Sequence, residues 1–367
     1  MNARAPLSAD LQVSTPIICG RAPQCGFQCV LGVIMAALLF DALLRPFVAD
    51  SNHLGVRTIR NYFEGLSTAH FEDDGLGEVG NRLTGNSWLS GAPEGMIIGD
   101  SHVVAYAVRD EETMGAMVER LSRAAGQRLN VRQYGWHGAN AATFLAFSES
   151  PLRARNPAWV AVVLNSYNVG VNALASSGGW HMEVAPDYSF RLIDDRFLAH
   201  QGLWRKLWRL AGYSVLVRGL GRRWGLFESQ LVHESYAQEL AGKNHRYYRS
   251  SWNEEASRVP RATVLGLKST FGMRLLIVYA PQLLGTGHYS LEPVEMELQR
   301  LCAQEGVAFL SVREALERDR NEHSRLSRGF SNTAPGVGHF NAFGHRVIGE
   351  EIWRYLYTRS STLIGSS

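Results

Sequence analysis

This chain has little charge, and the charge it has nearly cancels. Asp, Glu, Lys and Arg make up 19% of residues, leaving a net +3 and a pI near 8.7. That balance is too mild to point to nucleic acid as a partner, and zinc-finger, RNP-like and heptad patterns are missing as well. Neither His-Glu-x-x-His nor Cys-x-x-Cys occurs, and the 12 histidines are scattered, so neither a metal nor another cofactor is expected. Cysteine is scarce: Cys19, Cys25 and Cys29 lie near the N-terminus. Cys302 is left without a nearby partner for an intrachain disulfide, and it falls in a helical pattern as a buried small hydrophobe would. What the chain does have is apolar residues, 46% of 367, enough for a substantial core in one large domain or two ordinary ones.

Long apolar runs are nearly absent too. One stretch, from Gly26 to Phe40, is almost wholly apolar, and after Asp41 it continues Ala42-Leu43-Leu44 before Arg45-Pro46. It falls short of the roughly 20 residues a bilayer-spanning helix usually needs. A signal anchor, a cleaved signal peptide and a buried helix compete for it. The polar lead and the poor small-x-small site at Phe47-Val48-Ala49 disfavour cleavage, so a membrane anchor over 28–48 is expected, after a tail over 1–27. A linker or leading segment over 49–90 and one domain over 91–360 would follow. Arg21 and Arg45 on the two flanks leave the orientation undecided by charge.

The chemistry is concentrated in separated blocks. Residues 97–102 read Ile-Ile-Gly-Asp-Ser-His, an apolar run ending on a turn that would expose the Ser101 hydroxyl. Far downstream stands His339-Phe340-Asn341-Ala342-Phe343-Gly344-His345. A serine hydroxyl is a weak nucleophile at neutral pH and needs a base such as histidine to take its proton. Fixed N–H donors must then stabilise the negative oxygen of the tetrahedral intermediate. Taken alone, Gly-Asp-Ser also suits an ordinary strand-to-helix turn.

Two further blocks lie between these ends. Gln133-Tyr134-Gly135-Trp136-His137-Gly138 follows a second apolar segment, and Val162-Val163-Leu164-Asn165-Ser166-Tyr167-Asn168 closes a third. In this order, from about Gly95 to Tyr355, the blocks resemble the SGNH (GDSL-type) hydrolases and acyltransferases, in particular the membrane-anchored type of bacterial exopolysaccharide and cell-envelope systems. The resemblance implies Ser101 as nucleophile, its own N–H and that of Gly135 as oxyanion donors, the Asn168 amide as a third donor, and His339 as general base. The family's Gly-x-Asn-Asp stands here as Ser166-Tyr167-Asn168-Val169. Asn168 keeps the small-x-Asn spacing and is preferred, with Asn165 the alternative donor. His102, His137 and Asn165 would line the substrate pocket. The family's Asp-x-x-His is altered: Gly336 lies three before His339, and Val337 is not acidic either, so the usual orienting acid is missing. His345 reads as a helix-surface residue or one lying behind the catalytic groups.

Strand and helix signals alternate as a parallel sheet requires. Strands are predicted at 96–99, 129–134, 159–164, 274–280 and 307–311, and helices at 110–125, 141–148, 291–305 and 342–357. The fold class expected is α/β, a three-layer α/β/α SGNH-hydrolase-like fold with a parallel central sheet and a long insertion, about 172–262, between the third and fourth strands. The insertion holds Trp204-Arg205-Lys206-Leu207-Trp208-Arg209, and the span 196–227 carries no acidic residue. A helix packing its apolar stripe on the core is the commoner reading of such a stretch. A cap over the site is favoured among the functional ones, ahead of a lipid contact or a groove for an anionic glycan.

The function the resemblance implies is a carbohydrate O-acyl (acetyl) esterase or O-acetyltransferase working through a Ser101 acyl-enzyme on an envelope or secreted polysaccharide. The domain would sit in the periplasm on a single-pass inner-membrane anchor, beside a membrane-bound acyltransferase partner. The alternative is a non-catalytic glycan-binding or scaffolding protein that kept the fold. The missing acid supports it; the retained Ser101, Gly135 and His339 oppose it.

Overall fold

A computed structural model of the chain describes residues 51–53, 56–60, 67–72, 74, 80–148, 152, 155–170, 173–174, 180–194, 256–283, 288–330, 333, 336 and 338–363. Four short strands come first: β1 (Ser51–His53), β2 (Val56–Arg60), β3 (Thr68–Glu72) and β4 (Asn81–Arg82). They pair antiparallel in that order. They occupy the leading segment, where runs of two to five residues hold too few alternating positions to announce strands.

The main sheet uses stronger apolar runs. These are β5 (Glu94–Gly99), β6 (Asn130–Gly135), β7 (Trp159–Leu164) and, after a hairpin of β8 (Trp180–Val184) and β9 (Phe190–Asp194), β10 (Leu275–Tyr279) and β11 (Ala308–Ser311). The five pair in parallel in the order β6-β5-β7-β10-β11. The inner strands β5, β7 and β10 are buried on both faces, which is why they read as near-continuous apolar runs.

Seven helices accompany them among the described residues: α1 (Ser101–Val104), α2 (Met114–Ala124), α3 (Ala141–Phe147), α4 (Val259–Phe271), α5 (Pro293–Glu305), α6 (Arg313–His323) and α7 (Ala342–Leu363). The two-residue period of the strands divides their side chains between two cores. Met96, Ile98, Val160 and Val162 pack with α3, α4 and α5. Ile97, Ala161 and Val163 pack with α2, α6 and α7 on the opposite face. The result is a three-layer α/β/α arrangement around a parallel sheet. Cys302 lies fully buried in the first core, where burial pushes its thiol up to about 12.

The edge strand β6 is covered by side chains. Glu119 of α2 accepts the Val131 N–H at 2.8 Å, and Asn81 of β4 accepts the Gln133 N–H at 2.9 Å. Such covering satisfies groups that would otherwise template pairing with another chain. The connection β5-α2-β6 runs over one face and β6-α3-β7 over the other, so the strand order reverses between the carboxyl ends of β5 and β7. Open α/β sheets place their ligand crevices at this point.

One expectation needs correction. Among the described residues no helix is long and apolar enough to cross a membrane. This overturns the reading of a single-pass inner-membrane protein of the membrane-anchored envelope type with a periplasmic domain. The segment 28–48, on which that reading rested, lies outside the described residues, and the membrane-bound partner inferred from it is withdrawn with it. The basic stretch over 196–227 also lies outside the described residues.

Candidate active site

Ser101 opens α1, the single turn that follows β5. Asp100 caps this turn from an extended conformation: its Oδ1 accepts the His102 N–H at 2.9 Å, and its carbonyl accepts those of Val103 and Val104. Ala105, in the left-handed region with φ 58°, ends the turn. From β6, buried Gln133 holds the turn from behind by donating Nε2–H to the Val103 carbonyl at 2.6 Å. The Ser101 hydroxyl, half-buried, makes no hydrogen bond among the described residues. Its N–H, at the first position of the turn, has no acceptor within it.

Gly135 ends β6 against this turn. A Cβ there would lie 2.5 Å from the Val104 nitrogen and 2.8 Å from the Asp100 carbonyl oxygen, so only glycine lets the two backbones meet. Val131 and Gln133 direct their N–H groups to the outer edge of β6, and the two-residue period puts the Gly135 N–H on the same edge, at the carboxyl end.

Asn165 and Asn168 follow β7 across the crevice, and Asp100 ties them to the serine turn. Its Oδ2 accepts from Asn165 Nδ2 at 2.8 Å and from Asn168 Nδ2 at 3.1 Å. The two amides differ in what remains free. Asn168 spends its second N–H on the Ala139 carbonyl at 2.7 Å and its oxygen on the Asn165 N–H, and it is fully buried. Asn165 uses its oxygen to accept the Tyr167 and Asn168 N–H groups, and one of its amide hydrogens is uncommitted among the described residues.

His339 comes from the loop before α7 to the ring of His102, the residue after Ser101. Its ring stands edge-on to that of His102, with centroids 5.1 Å apart. His102 is in turn held between Arg328 and the Phe340 backbone: Arg328 Nη1 lies 3.1 Å from Nε2, and the Phe340 nitrogen lies 3.4 Å from Nδ1. Burial above all, then the Arg328 charge and the neighbouring His339 and His345, hold His102 well below the usual imidazole range. So low a proton affinity makes His102 a poor general base, and its ring packs against that of His339 instead. Gly336 sits at φ 78°, and a Cβ there would lie 2.8 Å from Leu283 Cδ2. The site of the family's acid is thus closed by backbone conformation and by an apolar neighbour. His137 is exposed and stacks on Tyr106 at 4.8 Å, on the segment that leaves Gly135.

Of the two positions expected for His345, the helix surface is excluded by its burial. It is 1% exposed, lies edge-on to Phe340, and its Nδ1 has no hydrogen-bond partner. Burial, with the charge of Arg82 and the neighbouring His339, pushes its pKa down to about 3. In the unfolded chain an imidazole titrates near about 6.5. Between these values the unfolded state binds a proton that the folded state refuses. Stability is therefore full above the unfolded value and is lost as pH falls through this window, by about 1.4 kcal/mol per pH unit. His102 acts in the same direction. Thermal denaturation from pH 8 to pH 4 should show a shallower acid decline for His345→Leu than for the parent, and an unchanged slope would contradict the assignment.

Asp100 and Arg328 were not singled out by sequence. A carboxylate between a strand end and a candidate nucleophile, at a helix N-cap, was the available signal for Asp100. Arg328 offered none, since its partners come from distant loops.

No family model matches the chain, and no curated protein matches it. Solved structures similar to it include a lipase/acylhydrolase from Enterococcus faecalis, with TM-score 0.37 and 12% identity, covering 73% of this chain and 96% of that one. A second is a two-domain esterase active on acetylated mannans, with TM-score 0.40 and 10% identity, covering 74% of this chain and 50% of that one. A third is a catalytic mutant of an acetylxylan esterase from Geobacillus stearothermophilus, with TM-score 0.38 and 11% identity, covering 73% of this chain and 95% of that one. These are distant likenesses of layout among esterase and lipase folds, and no residue role is transferred from them.

Proposed function

We propose that the chain is a serine-dependent esterase or acyltransferase acting on O-acylated, in particular O-acetylated, carbohydrate. One observation carries the reading: an uncommitted Ser101 hydroxyl opens a braced turn at the topological switch point, with donor groups on one side and a histidine pair on the other. In this mechanism Ser101 Oγ attacks the acyl carbonyl while His339 takes its proton. The carbonyl oxygen becomes an oxyanion facing the Ser101 N–H and an asparagine amide. Its collapse expels the sugar alkoxide, which takes the proton back from His339, and leaves Ser101 acylated. Water then gives hydrolysis, or a sugar hydroxyl gives transfer, by the same steps in reverse order. Acetate release and acetyl transfer, measured on acetylated oligosaccharides with and without an acceptor glycan, test it; neither product above background would sink it.

We further assign the amide donor to Asn165, whose free N–H suits the task, and give Asn168 the work of holding Asn165 and Asp100 in place. Losing one oxyanion donor typically costs about 10²- to 10³-fold in kcat. Asn165→Ala should show a loss of that order, and Asn168→Ala a much smaller one. Both should lower Tm, because each side chain makes three hydrogen bonds and buried partners lose theirs at about 1 to 3 kcal/mol each. Measuring kcat and Tm for both variants decides; a large kcat loss for Asn168→Ala and none for Asn165→Ala would return the role to Asn168.

A further inference from the structure

A cleft of about 660 Å³ is joined to the serine turn by Arg328, which lines it and touches His102. Its lining includes Arg109, Arg325 and Arg328, with Glu112 as the only carboxylate among the described residues, and Phe330 and Phe343. Their environments differ in a way that leaves positive charge unspent. Arg109 is exposed; its backbone N–H is bonded to Glu112, but its guanidinium makes no ion pair or hydrogen bond among the described residues. Arg325 lies over the Phe343 ring at 4.2 Å and reaches Asp319 only at 3.3 and 3.5 Å, a carboxylate it shares with Arg346.

Arg328 is the unusual one. Among the described residues two arginines are buried, Arg82 and Arg328. Arg82 is met by the Asp110 carboxylate. Arg328 is met by none: it donates to the Gly338 and Pro281 carbonyls at 3.1 Å and to the Tyr289 hydroxyl, contacts the imidazole of His102 and the face of Phe340 at 3.9 Å, and its Nε is unpartnered. Asp100 and Glu292 act on it only from a distance. A buried cation without a countercharge is costly unless something supplies one.

We propose that this cleft is an anion subsite for the substrate, in which a carboxylate or phosphate substituent of the acylated carbohydrate docks between Arg109 and Arg325 and faces the field of Arg328. Guanidinium groups match such oxyanions in bidentate fashion, and the phenylalanine rings give a sugar an apolar face to lie on. Arg328, which lines the cleft and touches the residue after Ser101, links this subsite to the ester. The inference rests on the esterase reading for what the anion belongs to.

Calorimetric titration of the full chain with galacturonate oligomers, with a phosphorylated oligosaccharide and with neutral mannose oligomers of the same length tests it directly. At low salt at least one anionic probe should bind about tenfold or more tighter than the neutral one. The preference should shrink as salt rises, and Arg109→Gln or Arg325→Gln should each reduce it to within about threefold. Which anionic probe is preferred identifies the substituent. Equal binding of charged and neutral oligomers, or a preference that survives both substitutions, would overturn the subsite. Acetate release, followed in parallel on acetylated forms of the same oligomers, separates the two claims. Turnover without anion preference leaves the reaction standing and removes the subsite, whereas anion preference without turnover does the reverse.

Discussion

Ser101→Ala is expected to lower ester hydrolysis by about 10⁴-fold or more with little change in Tm. The size follows from removing the only atom that forms the acyl bond; in serine hydrolases with a working base, losing the nucleophile costs at least this much. The small effect on folding follows from structure. The Ser101 hydroxyl makes no hydrogen bond among the described residues, and α1 is held instead by Asp100, Gln133 and Ala105. His339→Ala should be nearly as damaging, and the double variant scarcely worse than either, because nucleophile and base act as one unit. Initial rates on an aryl acetate, with Tm measured on the same samples, check both. Near-parent activity in Ser101→Ala would exclude an acyl-enzyme at this residue.

Gly135→Ala should cut kcat by about 10²-fold and cost about 1 to 3 kcal/mol of stability. The added methyl would fall 2.5 Å from the Val104 nitrogen and 2.8 Å from the Asp100 oxygen, both backbone atoms of the turn that presents Ser101. The turn cannot yield without moving the serine and the Asp100 carboxylate that holds both asparagines. Overpacking of this kind carries such a penalty, and a displacement of about 1 Å in an active site can cost the stated factor. Comparing kcat with the urea midpoint separates the two effects. An alanine variant with parent kcat would mean that β6 and the serine turn do not have to meet so closely.

What was legible in the sequence was local. The apolar runs of β5, β7 and β10 and the turn after Gly99 are contiguous, and their two-sided burial leaves an unbroken hydrophobic signature. The helix α6 was missed because its eleven residues bury only Ala315, Leu316 and Asp319, too thin an apolar face to register. The helix α4 was missed because Pro260 and Gly266 interrupt a pattern that otherwise reads as helical; Gly266 is where Leu145 and Phe190 press in. In the site, Ser101, Gly135 and His339 could be named from their own blocks. The division of labour between Asn165 and Asn168 could not, because it depends on Asp100, some 65 and 68 residues away, and on the Ala139 carbonyl. The link from Arg328 to His102 spans 226 residues and has no local trace. The apolar run over 28–48 shows the opposite failure, a local pattern given a membrane reading that the described helices do not support.

The central claim is that Ser101 carries the acyl group. The direct measurement is to incubate the full chain with an activated aryl acetate or a fluorophosphonate, quench with acid, and map the modified residue by peptide mass spectrometry. One dominant adduct is expected, on Ser101, that forms far more slowly in His339→Ala and is absent from Ser101→Ala. An adduct elsewhere, or equal labelling of parent and Ser101→Ala, would contradict it. No adduct and no turnover, with glycan binding that survives both substitutions, would make the protein a carbohydrate-binding scaffold on an esterase fold instead.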